Sequence, residues 1–169
     1  MPPRDRHRPA KLRAYLDTHE GYLAGVRKRG FVGEDSLSIR PVPGSLLMEG
    51  EISCLGGIVV SVSKRLELKD DDAVNPMVLT VSYAYNARVA GHGDIVRDDN
   101  ADHHSHSDPH HRHTFDWRTN EELEGSPEWV GADGWRTLGQ FIDEIEEWYW
   151  DHRDELPDPD TYGALGLRE

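Results

Sequence analysis

The chain has 169 residues and a formal net charge of −13, a length that suits one domain with a core of its own. Its 32 acidic and 19 basic side chains argue against nucleic-acid binding through a general excess of positive charge. The single cysteine, Cys54, excludes an intramolecular disulfide and a multi-cysteine zinc site, and its apolar neighbours indicate a buried thiol. Because the sequence has neither a membrane-length apolar run nor the apolar region of a signal peptide, we expect a cytoplasmic protein.

The kinds of charged residue indicate adaptation to high salt. Only four of the 19 basic residues are lysines, and aspartate is commoner than glutamate. Concentrated salt shortens the Debye length to about 3 Å, so an acidic surface repels nucleic acid less there than in dilute buffer. We interpret the chain as a halophilic acidic protein, with an ordinary acidic protein of a GC-rich genome as the alternative.

Hydrophobic periodicity defines the first half of the chain. Apolar residues at helical spacing predict a helix within residues 9–30, which ends at Gly30. From Leu37 to Val89 the apolar residues alternate with polar ones, and glycine and proline pairs separate the alternating runs. The strands predicted there are residues 46–55, 58–69 and 77–89.

The second half is predicted to contain two short strands and a helix. The strands, Ile95–Asp98 and Arg112–Trp117, flank a histidine-rich loop at residues 97–113. The apolar stripe of the last helix consists of Trp135, Leu138, Phe141, Ile142, Ile145 and Trp148 or Tyr149.

The element order predicts an α+β fold, in which an antiparallel meander sheet packs against an N-terminal and a C-terminal helix. We expect a single domain over residues 1–156 and a disordered tail over 157–169. The glycine pairs lack the strand–loop–helix context of a nucleotide-binding loop, and no Gly-x-Ser-x-Gly sequence occurs. Nucleotide-cofactor enzymes and serine hydrolases are therefore not supported.

The sequence RDDNADHHSHSDPHHRH at residues 97–113 contains six of the ten histidines. The pattern His-His-x-His occurs twice in it, as His103, His104 and His106 and again as His110, His111 and His113. Three interpretations compete. In the simplest one, the turn-forming residues make a solvated loop whose histidines titrate together near pH 6.

A metal site is the second interpretation. Zinc needs three or four converging ligands, and alternate residues of an extended segment share a face. The histidines that can pair in this way are His104 with His106 and His111 with His113. The carboxylates available beside them are those of Asp98, Asp99, Asp102 and Asp108.

Acid–base chemistry on RNA is the third interpretation. Cleavage through the 2′-hydroxyl needs one group that accepts a proton, one that donates a proton, and cations for the charge on phosphorus, and no metal is obligatory. Histidine suits both proton transfers, and Arg97 and Arg112 can bind a phosphate in bidentate fashion. The aromatic residues Tyr83, Tyr85 and Trp117 can stack on bases, although strand aromatics more often belong to the core.

The pattern Arg97-x-Asp99-Asn100-Ala101-x-His103-His104, followed by Pro109-His110-His111-x-His113, resembles the signature of the TumE family, toxin components of prokaryotic toxin–antitoxin pairs. The upstream sequences Gly44-Ser45-Leu46-Leu47 and Tyr83-x-Tyr85 extend the resemblance to about residues 37–117. Three positions depart from the family pattern. Asp98 stands where the family has an aromatic residue, Asp102 where it has proline and Arg112 where it has lysine.

This resemblance implies a toxin component with a cognate antitoxin protein as its partner. Together with the third interpretation, it leads us to expect a metal-independent endoribonuclease in which His104 and His111 are the acid–base pair and Arg97 and Arg112 bind the phosphate. The residues expected to orient the imidazoles or bind substrate are Asp99, Asn100, His103, His110, His113 and Tyr85.

Two alternatives remain open at this point. One is a zinc-binding protein, either a metal-dependent nuclease or a structural site, that uses His104, His106, His111 and His113. The other is a non-catalytic module that binds a partner through its acidic last helix. In that helix we expect Trp148 to belong to the core and Trp150 to the surface.

Overall fold

The computed structural model of the chain describes residues 8–101 and 109–166. Its helices are α1 (Leu12–Lys28), α2 (Gly131–Gly134), α3 (Leu138–His152) and a 3₁₀ turn at Arg153–Glu155. Its strands are β1 (Ala10–Lys11), β2 (Val32–Asp35), β3 (Ser38–Val42), β4 (Ser45–Cys54), β5 (Ile58–Leu68), β6 (Met77–Val89), β7 (Asp94–Asp99), β8 (His111–Asp116), β9 (Glu121–Glu122) and β10 (Glu128–Trp129).

The predicted α+β architecture is confirmed. An antiparallel sheet follows the order β10-β8-β7-β6-β5-β4-β2, while β3 also pairs with β4, β1 with β6, and β9 with β8. The strands of the β4–β5–β6 meander begin and end within one residue of the predicted ones. In the described parts of the chain, no helix is both long and apolar enough to cross a membrane.

The core lies between one face of the sheet and the helices α1 and α3. Alternate residues of a strand point to opposite faces, and Tyr85 of β6 packs its ring 5.5 Å from that of Phe141 in α3. A capping box between Thr137 and Gln140 starts α3, and its apolar stripe continues to the buried Tyr149. Trp150 is 61% exposed, as expected. We call this side of the sheet the helix face.

Two segments differ from the expectation. The strands β2 and β3 are not in the predicted set, because both are short and β3 is mostly exposed, so neither shows an alternating apolar pattern. The segment after Pro157 was expected to be disordered, but up to Gly166 it contacts the sheet. The Gly57 amide donates to the Thr161 carbonyl at 2.8 Å, and the Gly163 amide to that of Cys54 at 2.9 Å. These backbone bonds tie the segment down without the apolar pattern that sequence analysis relies on.

The opposite side, which we call the open face, carries two rows of side chains across the strands. Strand pairing aligns Ser61, Asn86, Arg97 and His113 in the first row. It aligns Ser63, Ala84, Asp99 and His111 in the second row. Register alone therefore brings the arginine, aspartate and histidines of residues 97–113 onto one side of the sheet.

Candidate functional site

The antiparallel pairing of β7 with β8 brings the two ends of the histidine-rich segment together. Asp99 lies opposite His111, and Arg97 lies opposite His113. Both strands extend further toward the segment than predicted, so Asp99 and His111 belong to the sheet. The predictions that concern His103, His104 and His106 lie outside the described residues.

Asp99 is the centre of the cluster, although its side chain is only 1% exposed. Its Oδ1 lies 3.0 Å from His111 Nε2, and its Oδ2 lies 2.9 Å from Arg97 Nε. The backbone amide of Ala101 also donates to Oδ1, at 2.9 Å, which forms a turn at the end of β7. One carboxylate thus orients an arginine, a histidine and the chain that leaves the strand.

Both ring nitrogens of His111 face oxygen atoms. Nδ1 lies 2.7 Å from the Pro109 carbonyl, which only accepts hydrogen bonds, so Nδ1 carries a hydrogen. Nε2 lies 3.0 Å from Oδ1 of the Asp99 carboxylate, an oxygen that accepts hydrogen bonds. A metal ion between Nε2 and the carboxylate would satisfy the same geometry, since metal-binding histidines commonly donate their other N–H to a carbonyl.

His113 adds a second imidazole to the cluster. Its ring lies edge-on to that of His111, with the centroids 5.0 Å apart. Its Nδ1 is 2.6 Å from Glu122 Oε1, and the same carboxylate oxygen accepts from Ser126 Oγ at 2.6 Å. One ligand atom each from Asp99, His111 and His113 lie within 4.8 Å of one another, so these three residues can hold a metal ion.

Arg112 lies on the helix face, opposite Asp98. Its Nε and Nη2 donate to the two oxygens of Asp98 at 2.6 and 2.8 Å, and its Nη1 donates to Glu144 of α3 at 2.6 Å. Arg136 donates to the other oxygen of Glu144 at 2.6 Å. Burial tends to lower the pKa of Arg112, but the two carboxylates outweigh it and raise that pKa. Each guanidinium nitrogen of Arg112 is therefore already bound to a carboxylate.

The remaining predicted residues lie near β6. Asn100 accepts from the Tyr83 amide and donates to the Val81 carbonyl, both at 3.0 Å, so its side chain fixes the turn after β7. His110 stacks on Trp135 with the ring centroids 5.3 Å apart. Tyr85 is completely buried, and burial raises the pKa of its hydroxyl well above the ordinary value.

The aromatic residues that were weighed as base-stacking groups are parts of the core. Tyr83 and Trp117 are buried, and Tyr83 stacks on Trp135 with the ring centroids 4.6 Å apart. The commoner role of aromatic residues in strands therefore applies to this sheet.

Sequence reasoning missed a groove on the open face, next to the cluster. It encloses about 480 Å³, and the residues that line it are Glu49, Gly50, Ser61, Val62, Ser63, Ala84, Asn86, Asp94 and Arg97. The available signal was the alternation of small polar residues in β5, where Ser61 and Ser63 share a face. The positions of Ser61 and Ser63 identify the solvent-facing side of β5. The groove itself forms only when β4, β5, β6 and β7 pair.

A sequence model of the family described as toxin TumE matches residues 45–149. The match covers the strands β4 to β10 and most of α3, and so it includes every described residue of the cluster and of the groove. No curated protein and no solved structure matches the chain.

Proposed function

The chain belongs to the toxin TumE family, and on that basis we propose that it is the toxin component of a toxin–antitoxin pair and cleaves RNA in the cytoplasm without a metal ion. The observation that carries this proposal is the position of Asp99 between Arg97 and His111, which unites a phosphate-binding cation with a proton-carrying group. Arg97 is 46% exposed, so its guanidinium is accessible from the open face.

The chemistry that we propose is attack of a ribose 2′-hydroxyl on the adjacent phosphorus. One group removes the hydroxyl proton, another protonates the leaving 5′-oxygen, and a cation stabilises the charge on the phosphoryl oxygens. His104 and His111 are the proposed acid–base pair. Phosphate binding is assigned to Arg97, because the guanidinium of Arg112 is held by Asp98 and Glu144 on the other face.

Access to His111 requires a rearrangement, since the residue is only 1% exposed. A phosphate that binds Arg97 competes with Asp99 for the same guanidinium. In this proposal the incoming phosphate draws Arg97 away from Asp99, and His111 exchanges a proton with the substrate through Nε2 once the contact between Nε2 and Asp99 opens. Nδ1 stays on the Pro109 carbonyl and orients the ring.

The test is cleavage of a defined RNA by the purified chain in excess chelator at fixed salt. We expect wild-type protein to cleave, and His111→Ala to lower the rate by about 10²- to 10⁴-fold. The matched control is His92→Ala, which removes an exposed histidine of the β6–β7 turn. His111→Gln retains a hydrogen-bonding side chain of similar length and separates loss of catalysis from loss of folding. Equal rates for wild type and both His111 variants would refute the assignment.

A zinc site is the second candidate, supported by the convergence of Asp99, His111 and His113. The two imidazoles and the carboxylate are ligand types that zinc prefers, and a fourth position is then left for water or substrate. Zinc bound there would lower the pKa of a bound water and supply a hydroxide nucleophile.

Metal content separates the two candidates. The chain is purified without a histidine tag, dialysed against zinc and then against buffer, and analysed for bound metal. Stoichiometric zinc that His113→Ala abolishes, together with cleavage that stops in chelator, would replace the metal-independent mechanism. Zinc-free protein that cleaves RNA in chelator would exclude the zinc mechanism.

The antitoxin partner is likewise a proposal, supported by the family's description as a toxin. It is tested by expressing the chain with and without the product of the neighbouring gene. We expect growth arrest without the neighbour, and co-purification of the two proteins with restored growth when both are present. Growth arrest that the neighbour does not relieve would contradict that pairing.

A further inference from the structure

The groove is continuous with the cluster that contains Asp99 and His111. Arg97 belongs to both, since its guanidinium contacts Asp99 and its side chain lines the groove. The first row joins Ser61 and Asn86 directly to Arg97 by strand pairing. A ligand whose phosphate binds Arg97 therefore has the groove on one side and the buried cluster of Asp99 and His111 on the other.

The groove is hollow where short side chains line it. Ala84 lies in the second row between Ser63 and Asp99, and it carries only a methyl group beside the small hydroxymethyl group of Ser63. Gly50 also lines the groove, but it pairs with the core residue Val62, and a Cβ there would approach the Ser36 carbonyl oxygen to 2.5 Å. Glycine at this position is therefore required by the backbone of the neighbouring segment.

The lining of the groove suits a neutral polar group better than a phosphate. The carboxylates of Glu49 and Asp94 line it and repel phosphate, whereas carboxylates accept hydrogen bonds from the amino groups of bases. None of the residues that line it is aromatic, so recognition there relies on hydrogen bonds to base edges rather than on stacking. Arg97 provides the positively charged end of the groove, where a phosphate can bind.

Asp94 is held in place from two sides. Asn86 Nδ2 donates to its Oδ1 at 2.9 Å, and its own amide donates to Asn120 Oδ1 at 2.9 Å. Within residues 8–101 and 109–166, no hydrogen-bond donor binds the other carboxylate oxygen, Oδ2. The groove thus presents a fixed acceptor that an amino group can use.

We propose that the groove binds the nucleoside next to the scissile phosphate, and that Asp94 selects a base with an exocyclic amino group over uracil. This inference rests on the proposed function, because Arg97 must hold the phosphate of the same nucleotide. Cytosine, adenine and guanine each offer an amino group, whereas uracil presents a carbonyl oxygen at the position that corresponds to the cytosine amino group. The Asp94 carboxylate attracts an amino group and repels a carbonyl oxygen.

The test compares the binding of 5′-CMP and 5′-UMP, which differ in the amino or carbonyl group at position 4 of the ring. Neither contains an internal phosphodiester, so binding to the full chain is measured by titration without cleavage, at one salt concentration. We expect CMP to bind about tenfold more tightly than UMP. Asp94→Asn should remove that preference, while Asp71→Asn, a change of an exposed acid in the β5–β6 loop, should preserve it.

A second pair of variants tests the location. Ser63 is exposed and lines the groove, so Ser63→Leu should fill it and weaken the binding of both nucleotides at least tenfold. Ser82→Leu makes the same change on the neighbouring strand, at an exposed residue outside the lining, and should leave binding unchanged. Equal affinity for CMP and UMP, binding of neither, or no effect of Ser63→Leu would each overturn the inference.

The failure of this inference can be told apart from the failure of the proposed function. If RNA cleavage depends on His111 but Ser63→Leu and Asp94→Asn change neither binding nor base preference, the groove proposal fails and the nuclease proposal stands. If CMP binds as predicted and no RNA is cleaved, the nuclease proposal fails and the groove is a nucleotide site of another activity.

Discussion

The β7–β8 pair carries two charged clusters on its two faces, and they differ in what surrounds them. On the helix face, Asp98 and Arg112 form a bidentate pair that Glu144 fixes to α3. On the open face, Asp99 holds His111 and the half-exposed Arg97 beside a groove. Adjacent residues of one sequence motif therefore divide between an ion pair that holds α3 to the sheet and a cluster beside the groove on the open face.

This difference bears on two positions where the resemblance to the family implied a departure. The resemblance implied an aromatic residue in place of Asp98 and a lysine in place of Arg112, and these two residues stand opposite each other in the sheet. A planar guanidinium binds a carboxylate through two parallel hydrogen bonds, which an ammonium group cannot do. The two departures are thus the two partners of one ion pair. Charge at a motif position does not by itself indicate a contact with substrate.

Breaking the helix-face pair should have the largest effect on stability. Arg112→Met leaves the buried Asp98 without its partner, and we expect the free energy of unfolding to fall by about 3–5 kcal/mol. Urea unfolding monitored by circular dichroism measures this loss. The double variant Asp98→Leu/Arg112→Leu removes both charges and should recover most of the stability. A double variant no more stable than Arg112→Met would contradict the account of the pair.

Lys64 provides a second test of the helix face, since it is buried there with its ammonium 5.0 Å above the Tyr15 ring. Burial lowers the pKa of Lys64 from 10.5 to about 8. Between these values the unfolded chain binds more protons at Lys64 than the folded one, so Lys64 should contribute a rise in stability of roughly 3 kcal/mol between about pH 8 and 10.5. The buried Cys54 and Tyr85, whose pKa values burial raises, act in the opposite direction above about pH 9, so the contribution of Lys64 is the difference between wild type and a variant without it. Unfolding at pH 7.5 and pH 10 measures the rise.

The matched variants for this prediction are Lys64→Met and Lys69→Met. Lys64→Met should be more stable than wild type at pH 7.5 and should lose the rise that Lys64 contributes. Lys69 is exposed, so its variant should keep the rise. A wild-type pH dependence that survives in Lys64→Met would show that another group causes it.

Removing Arg97 should have the smallest effect on stability. The arginine of its ion pair with Asp99 is half exposed, and the buried Asp99 keeps His111 and the Ala101 amide beside it when Arg97 is removed, so the loss should resemble that of an exposed pair, about 0–1 kcal/mol. We therefore expect Arg97→Met to change the unfolding free energy by less than about 1 kcal/mol, against the larger loss for Arg112→Met. Equal losses for the two arginines, measured side by side in urea, would remove the distinction between the two faces.

Local patterns predicted the elements of the fold well. The alternation of β5 and the apolar stripe of α3 report burial directly, so the strands of the meander and the last helix agree with the structure. The short strand β3 is mostly exposed and carries Pro41. The sequence of such an edge strand does not alternate between apolar and polar residues, so periodicity does not predict it. The last described residues are held by backbone hydrogen bonds and by side-chain bonds such as those from Ser53 to the Gly163 carbonyl and from the Gly166 amide to Glu51, and neither kind gives a hydrophobic period.

The candidate site was predictable in composition but not in arrangement. The sequence indicated Arg97, Asp99 and His111 as one functional segment, and strand pairing does bring them together. Both Arg97 and Arg112 had been expected to bind phosphate, but the pairing register places Arg112 opposite Asp98 and Arg97 opposite His113, on different faces of the sheet. The burial of Lys64 and the groove beside Ala84 depend on neighbours more than ten residues away in sequence, so no local pattern reports them.

The most direct test of the central claim compares RNA cleavage by Arg97→Met and Arg112→Met at a temperature where both are folded. If the open face is the active face, Arg97→Met should lower the cleavage rate by about 10²- to 10³-fold, as expected for loss of a group that stabilises transition-state charge. Arg112→Met should cleave at a rate close to that of wild type. Cleavage that survives in Arg97→Met and is lost in folded Arg112→Met would contradict the account and assign the reaction to the helix face.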